Sequence, residues 1–81
     1  MTIRVTYFAQ SRQATGNREE MVQIPEGATV AVLMGTLGER FPKLGAIRTM
    51  LKFAVNGEYA GSETVLSDGD EVALIPPVSG G

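Results

Sequence analysis

Two glycines, Gly80 and Gly81, close this chain, and Pro76 and Pro77 stand between them and the apolar run 72–75. Glycine has no Cβ, so a Gly-Gly end can thread a passage too narrow for any other residue. At its tip only the terminal carboxylate remains to react. Proline has no backbone N–H and favours an extended, polyproline-like backbone, so Pro76 and Pro77 should stop a strand ladder at Ile75. Val78 and Ser79 then continue a stiff tail that carries Gly80 and Gly81 away from the fold. The chemistry this suggests belongs to the main-chain carboxylate and not to a side chain.

The remaining residue types leave little competing chemistry. The chain has no Cys, which removes disulfides, thiolate nucleophiles, iron–sulfur ligation and zinc–sulfur sites. It has no His, the commonest general base and metal ligand. Lys43 and Lys52 lie in no apolar context that would activate an amine. No side chain is therefore expected to be catalytic, and no metal site is expected.

Charge narrows the partners. Seven Lys/Arg against nine Asp/Glu give a net charge of −2, with no basic run of the kind that nucleic acid requires. No stretch approaches the roughly 20 apolar residues of a membrane span. The opening MTIRVTYFAQ alternates instead of forming a solid apolar block, so it does not read as a signal peptide. These features predict a cytoplasmic protein that contacts neither nucleic acid nor membrane.

The elements that must position the tail follow from periodicity. Ile3, Val5 and Tyr7 alternate with Arg4 and Thr6 as a half-buried strand. The segment 9–17 has room for one or two helical turns stopped at Gly16. Glu19 to Ile24 is a second strand, closed by a turn at Pro25–Glu26–Gly27. Val30, Leu33, Met34, Leu37 and Phe41 share one face of a helix over 29–41, with Thr29 as N-cap and Pro42 as terminator. Ala31, Gly35 and Gly38 line a flank of that helix, where close packing within the domain is the simpler reading and approach by a partner the other. The segment 42–50 is ambiguous, with Leu44, Ile47 and Leu51 turned toward the core. Phe53 and Val55 lead into Asn56–Gly57, a strong hairpin signal because both turn positions need positive φ. Ser67–Asp68–Gly69–Asp70 is a further turn, and Val72 and Leu74 form the inner face of the last strand.

One amphipathic helix and one half-apolar sheet bury each other. The expected fold is α+β, a β-grasp with a mixed sheet of about five strands against one main helix. Its domain occupies 1–75 and its tail 76–81, with first and last strands parallel neighbours. Alternation then leaves Phe8 and Ile75 on the outer face, at the same end of adjacent strands. Contiguous exposed apolar surface of this kind marks a docking site.

The segments DGDEVALIPPVSGG, YFAQSRQATG, PEGATVAVLMGTL and AVNGEY together resemble the small subunits of molybdopterin synthase, sulfur carriers of the ubiquitin-like MoaD/ThiS family. The resemblance spans essentially the whole chain and departs at Gln13, where the family often has an acidic residue. It implies that an E1-like adenylating enzyme uses ATP to adenylate Gly81, and that a sulfur donor protein displaces AMP to leave a thiocarboxylate. Pro76, Pro77, Val78, Ser79 and Gly80 would thread into partner active sites while Phe8 and Ile75 dock. The large subunit of the synthase, in an expected heterotetramer, would pass the sulfur to a pterin precursor of the molybdenum cofactor. No cofactor would be held stably, and the carrier would not turn over substrate alone. Sulfur delivery to thiamine thiazole or cysteine, a protein modifier joined to lysine, and a plain interaction module remain the alternatives.

Overall fold

The computed structural model describes residues 1–77. Strand β1 (Thr2–Tyr7) lies parallel to strand β5 (Glu71–Ile75), with Val5 opposite Val72 and Tyr7 opposite Leu74. Strand β2 (Glu19–Gln23) pairs antiparallel with the far side of β1. Strands β3 (Lys52–Val55) and β4 (Glu58–Ala60) extend the sheet beyond β5, giving the order β2-β1-β5-β3-β4. This is the mixed five-stranded sheet expected of a β-grasp.

Helix α2 (Val30–Arg40) crosses the inner face of the sheet and presents Val30, Leu33, Met34 and Leu37, all buried. They pack with Ile3, Val5, Tyr7, Val22, Val72 and Leu74, the inward positions of three adjacent strands. Thr29 caps the helix, its hydroxyl accepting from the Val32 N–H at 3.3 Å. Pro42 does more than terminate α2. It opens a second short helix, α3 (Pro42–Ala46), because a first-turn proline sacrifices no helical hydrogen bond. Helix α3 and a 3-10 turn at Arg48–Met50 fold the ambiguous segment back, burying Leu44 and Leu51.

Two local expectations are refined. A Cβ at Gly38 would meet the Gly45 backbone at 3.8 Å, an ordinary contact distance, so α3 packs beside this glycine without requiring it. Gly35 faces open space, and its side of the helix is not explained by internal packing. The second strand stops at Gln23, one residue earlier than expected. Ile24 instead donates its N–H to the Met1 carbonyl and accepts from the terminal ammonium at 2.7 Å.

Loops are held by the chemistry their residues suggest. Asn56 (φ 51) and Gly57 (φ 86) form the hairpin turn, and the Asn56 amide bonds Asp70 and Glu71 across the sheet end. Asp68 accepts from the Thr2 N–H at 2.7 Å, tying the turn before β5 to the start of β1.

The buried Tyr7 hydroxyl donates to Glu20 at 2.6 Å, and Arg40 holds the other oxygen of Glu20 at 3.2 Å. Burial, followed by the hydrogen bond and negative charge of Glu20, pushes the Tyr7 phenol well above its ordinary range. Replacing Tyr7 by Phe is expected to cost about 1–2 kcal/mol at neutral pH, read from the urea midpoint. A value raised in the folded state means that this stability is complete below the ordinary tyrosine pKa of about 10 and is lost as pH rises beyond it. The gap between wild type and Tyr7→Phe should therefore close in titrations carried above that pH.

Candidate functional site

Because β1 and β5 are parallel, both leave the sheet at the same end. The two exits form the site. Strand β1 leaves through a tight turn in which the Ser11 N–H donates to the Phe8 carbonyl at 3.0 Å. Its first central residue is Ala9, at φ 47 and ψ −119, the type II′ geometry usually given to glycine. A non-glycine residue there stores about 1–3 kcal/mol of strain. The turn lifts Phe8 out of the sheet and leaves its ring 42% exposed. Helix α1 (Gln10–Thr15) follows and stops at Gly16, whose φ of 75 makes the left-handed cap. Arg12 reaches back to the Tyr7 carbonyl at 3.4 Å and steadies the same exit.

Strand β5 leaves through Ile75, which is half-buried. Pro76 is buried and Pro77 is exposed. The chain therefore stays packed one residue beyond the strand, whereas the sequence suggested that it turned outward at once. Losing the ladder N–H stops the strand without freeing the proline ring from the fold.

Between the two exits lies an apolar groove of about 720 Å³, lined by Phe8, Ala9, Gln10, Gln13, Ile75, Pro76 and Pro77. Phe8 and Ile75, on strands at opposite ends of the sequence, are brought to one surface. Gln13 stands on the groove wall as a neutral amide. Val78, Ser79, Gly80 and Gly81 lie outside the described residues.

The outer sheet face continues the groove unevenly. Register places Thr6, Ala73, Ala54 and Tyr59 in one row across β1, β5, β3 and β4. Tyr59 is 74% exposed at its end. Toward the other end of β1, Arg4 lies between Glu19 and Glu71, at 3.9 and 3.7 Å. Lys52, opposite Ile75, and Glu19, opposite Thr6, bring charge to the half of this face nearest the groove as well.

Sequence reasoning missed two participants. Tyr59 had a signal, since alternation in the hairpin puts it on the face opposite Phe53 and Val55. Ser11 had almost none. It is fully buried, accepts the Phe8 N–H at 2.8 Å, and its hydroxyl lies 2.7 Å from the Phe8 carbonyl and 3.1 Å from the Leu74 carbonyl. A serine in a short polar segment does not announce such a position.

The side chains present supply binding surface, with no catalytic constellation among the described residues. No group of three or more His, Cys, Asp or Glu is placed there to hold a metal. Among the described residues the one strongly shifted group, Tyr7, faces the core. Among the described residues no helix is long and apolar enough to cross a membrane.

The sequence profile of the ThiS family matches residues 5–81. The molybdopterin synthase sulfur carrier subunit of Chlamydomonas reinhardtii is 40% identical over 83 residues, covering 100% of each chain. Among solved structures, the putative molybdopterin converting factor subunit 1 of Pyrococcus furiosus is 35% identical with a TM-score of 0.86, over 95% of this chain and 98% of that one. The Haloferax volcanii small archaeal modifier protein 1 is 28% identical with a TM-score of 0.85, over 95% and 98%. By profile, sequence and fold, this chain belongs to the ThiS family and stands with the molybdopterin synthase sulfur carrier subunits.

Proposed function

We propose that this protein carries sulfur as a thiocarboxylate on the C-terminus of Gly81 and is the non-catalytic small subunit of a molybdopterin synthase. The observation that carries the reading is the apolar groove of Phe8, Ile75, Pro76 and Pro77 at the root of a Pro-Pro-Val-Ser-Gly-Gly segment. A docking surface placed there orients whatever the segment carries. The name of the Chlamydomonas relative, a sulfur carrier subunit of a synthase, supports the same role.

A carboxylate is a poor electrophile because resonance stabilises it. In this reading an E1-like enzyme attacks the α-phosphate of ATP with the Gly81 carboxylate, releasing pyrophosphate and forming an acyl adenylate. A persulfide on a donor protein then adds its outer sulfur to the carbonyl carbon, and the C–O bond to AMP breaks. A thiol reductant cleaves the S–S bond of the resulting acyl disulfide, leaving the thiocarboxylate and the donor's thiol, the reductant being oxidised to a disulfide. ATP belongs to the activating partner. The large subunit supplies the acid–base groups for transfer to the pterin precursor, which explains how a chain lacking Cys and His takes part. The cytoplasm, where ATP and reduced sulfur are available, is the compartment this chemistry fits.

The likeness to the Haloferax modifier favours one second reading, in which the same activated carboxylate forms an isopeptide bond with a lysine. The acceptor separates the two.

Intact mass after incubation with the activating enzyme, ATP and a sulfur source tests the proposal. One oxygen replaced by sulfur, confined to the C-terminal peptide, is expected. Attachment to lysine without that product would favour the modifier. Deletion of Gly81 is expected to abolish activation while the melting curve stays unchanged, and sulfur transfer by that variant would refute the mechanism. Phe8→Asp places a charge in the groove and should weaken large-subunit binding by roughly tenfold or more, since burying a ring of this size contributes about 1.5–3 kcal/mol. Calorimetric titration measures that loss. A collapse in thermal stability would show instead that the Phe8 ring belongs to the core.

A further inference from the structure

At the root of the groove the next rung of the β1–β5 ladder passes through a side chain. The Arg4 N–H donates directly to the Asp70 carbonyl at 2.9 Å. In a parallel ladder such rungs recur every two residues on each strand. Continuing the register brings the Phe8 N–H to the Leu74 carbonyl. That rung is not direct. Phe8 donates to Ser11 Oγ at 2.8 Å, and Ser11 Oγ lies 3.1 Å from the Leu74 carbonyl oxygen. A side-chain hydroxyl from the first turn of α1 is interposed between the two strands.

A direct backbone rung is about 2.9–3.0 Å long. Here two hydrogen bonds through the Ser11 hydroxyl take its place, at the root of the groove. The single hydroxyl proton has two acceptors within reach, Phe8 O at 2.7 Å and Leu74 O at 3.1 Å. The Phe8 carbonyl already receives the Ser11 N–H, whereas the Leu74 carbonyl points toward β1, where the displaced rung would have met it. Ser11 is fully buried, so losing its hydroxyl strands a donor and an acceptor away from water.

We propose that Ser11 is a positioning residue whose buried hydroxyl, bridging Phe8 N–H and Leu74 carbonyl, sets the separation of the two groove walls and the direction in which Pro76 and Pro77 leave the sheet. It does not line the groove. It acts through Phe8 on one wall and through the residue before Ile75 on the other. The inference rests on the docking role given to that groove above.

The test compares full-length wild type, Ser11→Ala and Ser11→Thr by three measurements. These are amide hydrogen exchange at Phe8, calorimetric affinity for the synthase large subunit, and final thiocarboxylate yield at saturating activating enzyme. Ser11→Ala is expected to speed Phe8 exchange and raise the Kd about tenfold each, the equivalent of one lost buried hydrogen bond. Thiocarboxylate yield shows that each variant still presents Gly81 to the activating enzyme. Ser11→Thr keeps the hydroxyl and should restore both quantities. Faster exchange with an unchanged Kd would overturn the positioning role, and unchanged exchange would overturn the relay itself. If Ser11→Ala fails to fold, a folded Ser11→Thr that exchanges at Phe8 faster than wild type, or binds more weakly, overturns the proposal. A wild-type chain that neither takes up sulfur nor binds the large subunit overturns the sulfur-carrier reading instead, and Phe8 exchange then judges the relay alone.

Discussion

The parallel pairing of the first strand with the last is the constraint on which the rest of this molecule depends. Antiparallel neighbours would send their C-terminal ends to opposite edges of the sheet. Parallel ones bring both ends to the same edge, so Phe8 and Ile75 meet although most of the sequence separates them. Such pairing requires a crossover, and α2 with the segments on either side supplies it while covering the inner face. Burial of Val5, Tyr7, Val72 and Leu74 beneath that helix fixes the register, because a slip of one residue would turn each of them toward solvent.

The outer face mixes charge with a low apolar floor. Arg4 is held between two glutamates that are themselves largely exposed. Beside them Ala54 and Ala73 form a floor between Thr6 and Tyr59, and Lys52 stands opposite Ile75 at the edge of the groove. Exposed ion pairs of this kind contribute little to stability. Their charge suits solubility and the orientation of a partner, while the alanine floor and the groove offer contact area. The groove itself is lined only by apolar side chains and two amides, Gln10 and Gln13.

How much of this could be read in the sequence depended on whether a local rule was in command. The 3.6-residue spacing from Val30 to Leu37, the Asn56–Gly57 turn and the alternation in β1 and β5 each obey one strong rule, and each element formed as expected. Pro76 and Pro77 were legible as the end of β5 because proline lacks the N–H that a strand ladder needs. The segment 42–50 was not, because Pro42 serves equally as the end of one helix and the start of another. The burial of Pro76 was hidden, since a missing N–H says where a strand stops and not whether the ring is covered. Ala9 and Ser11 were least legible. Nothing in an alanine announces positive φ, and a serine gives no sign that its hydroxyl will be built into a sheet ladder.

The buried Pro76 also makes the molecule a ruler. In the sulfur-carrier reading, the five residues from Pro77 to Gly81 would reach at most about 18 Å beyond it when fully drawn out, at roughly 3.3–3.6 Å each. An enzyme that gripped the Phe8–Ile75 groove would then hold the centre that reacts with Gly81 within that radius of its grip. Enzymes of unrelated architecture that share this carrier would then have to agree on one distance, however different their chemistry.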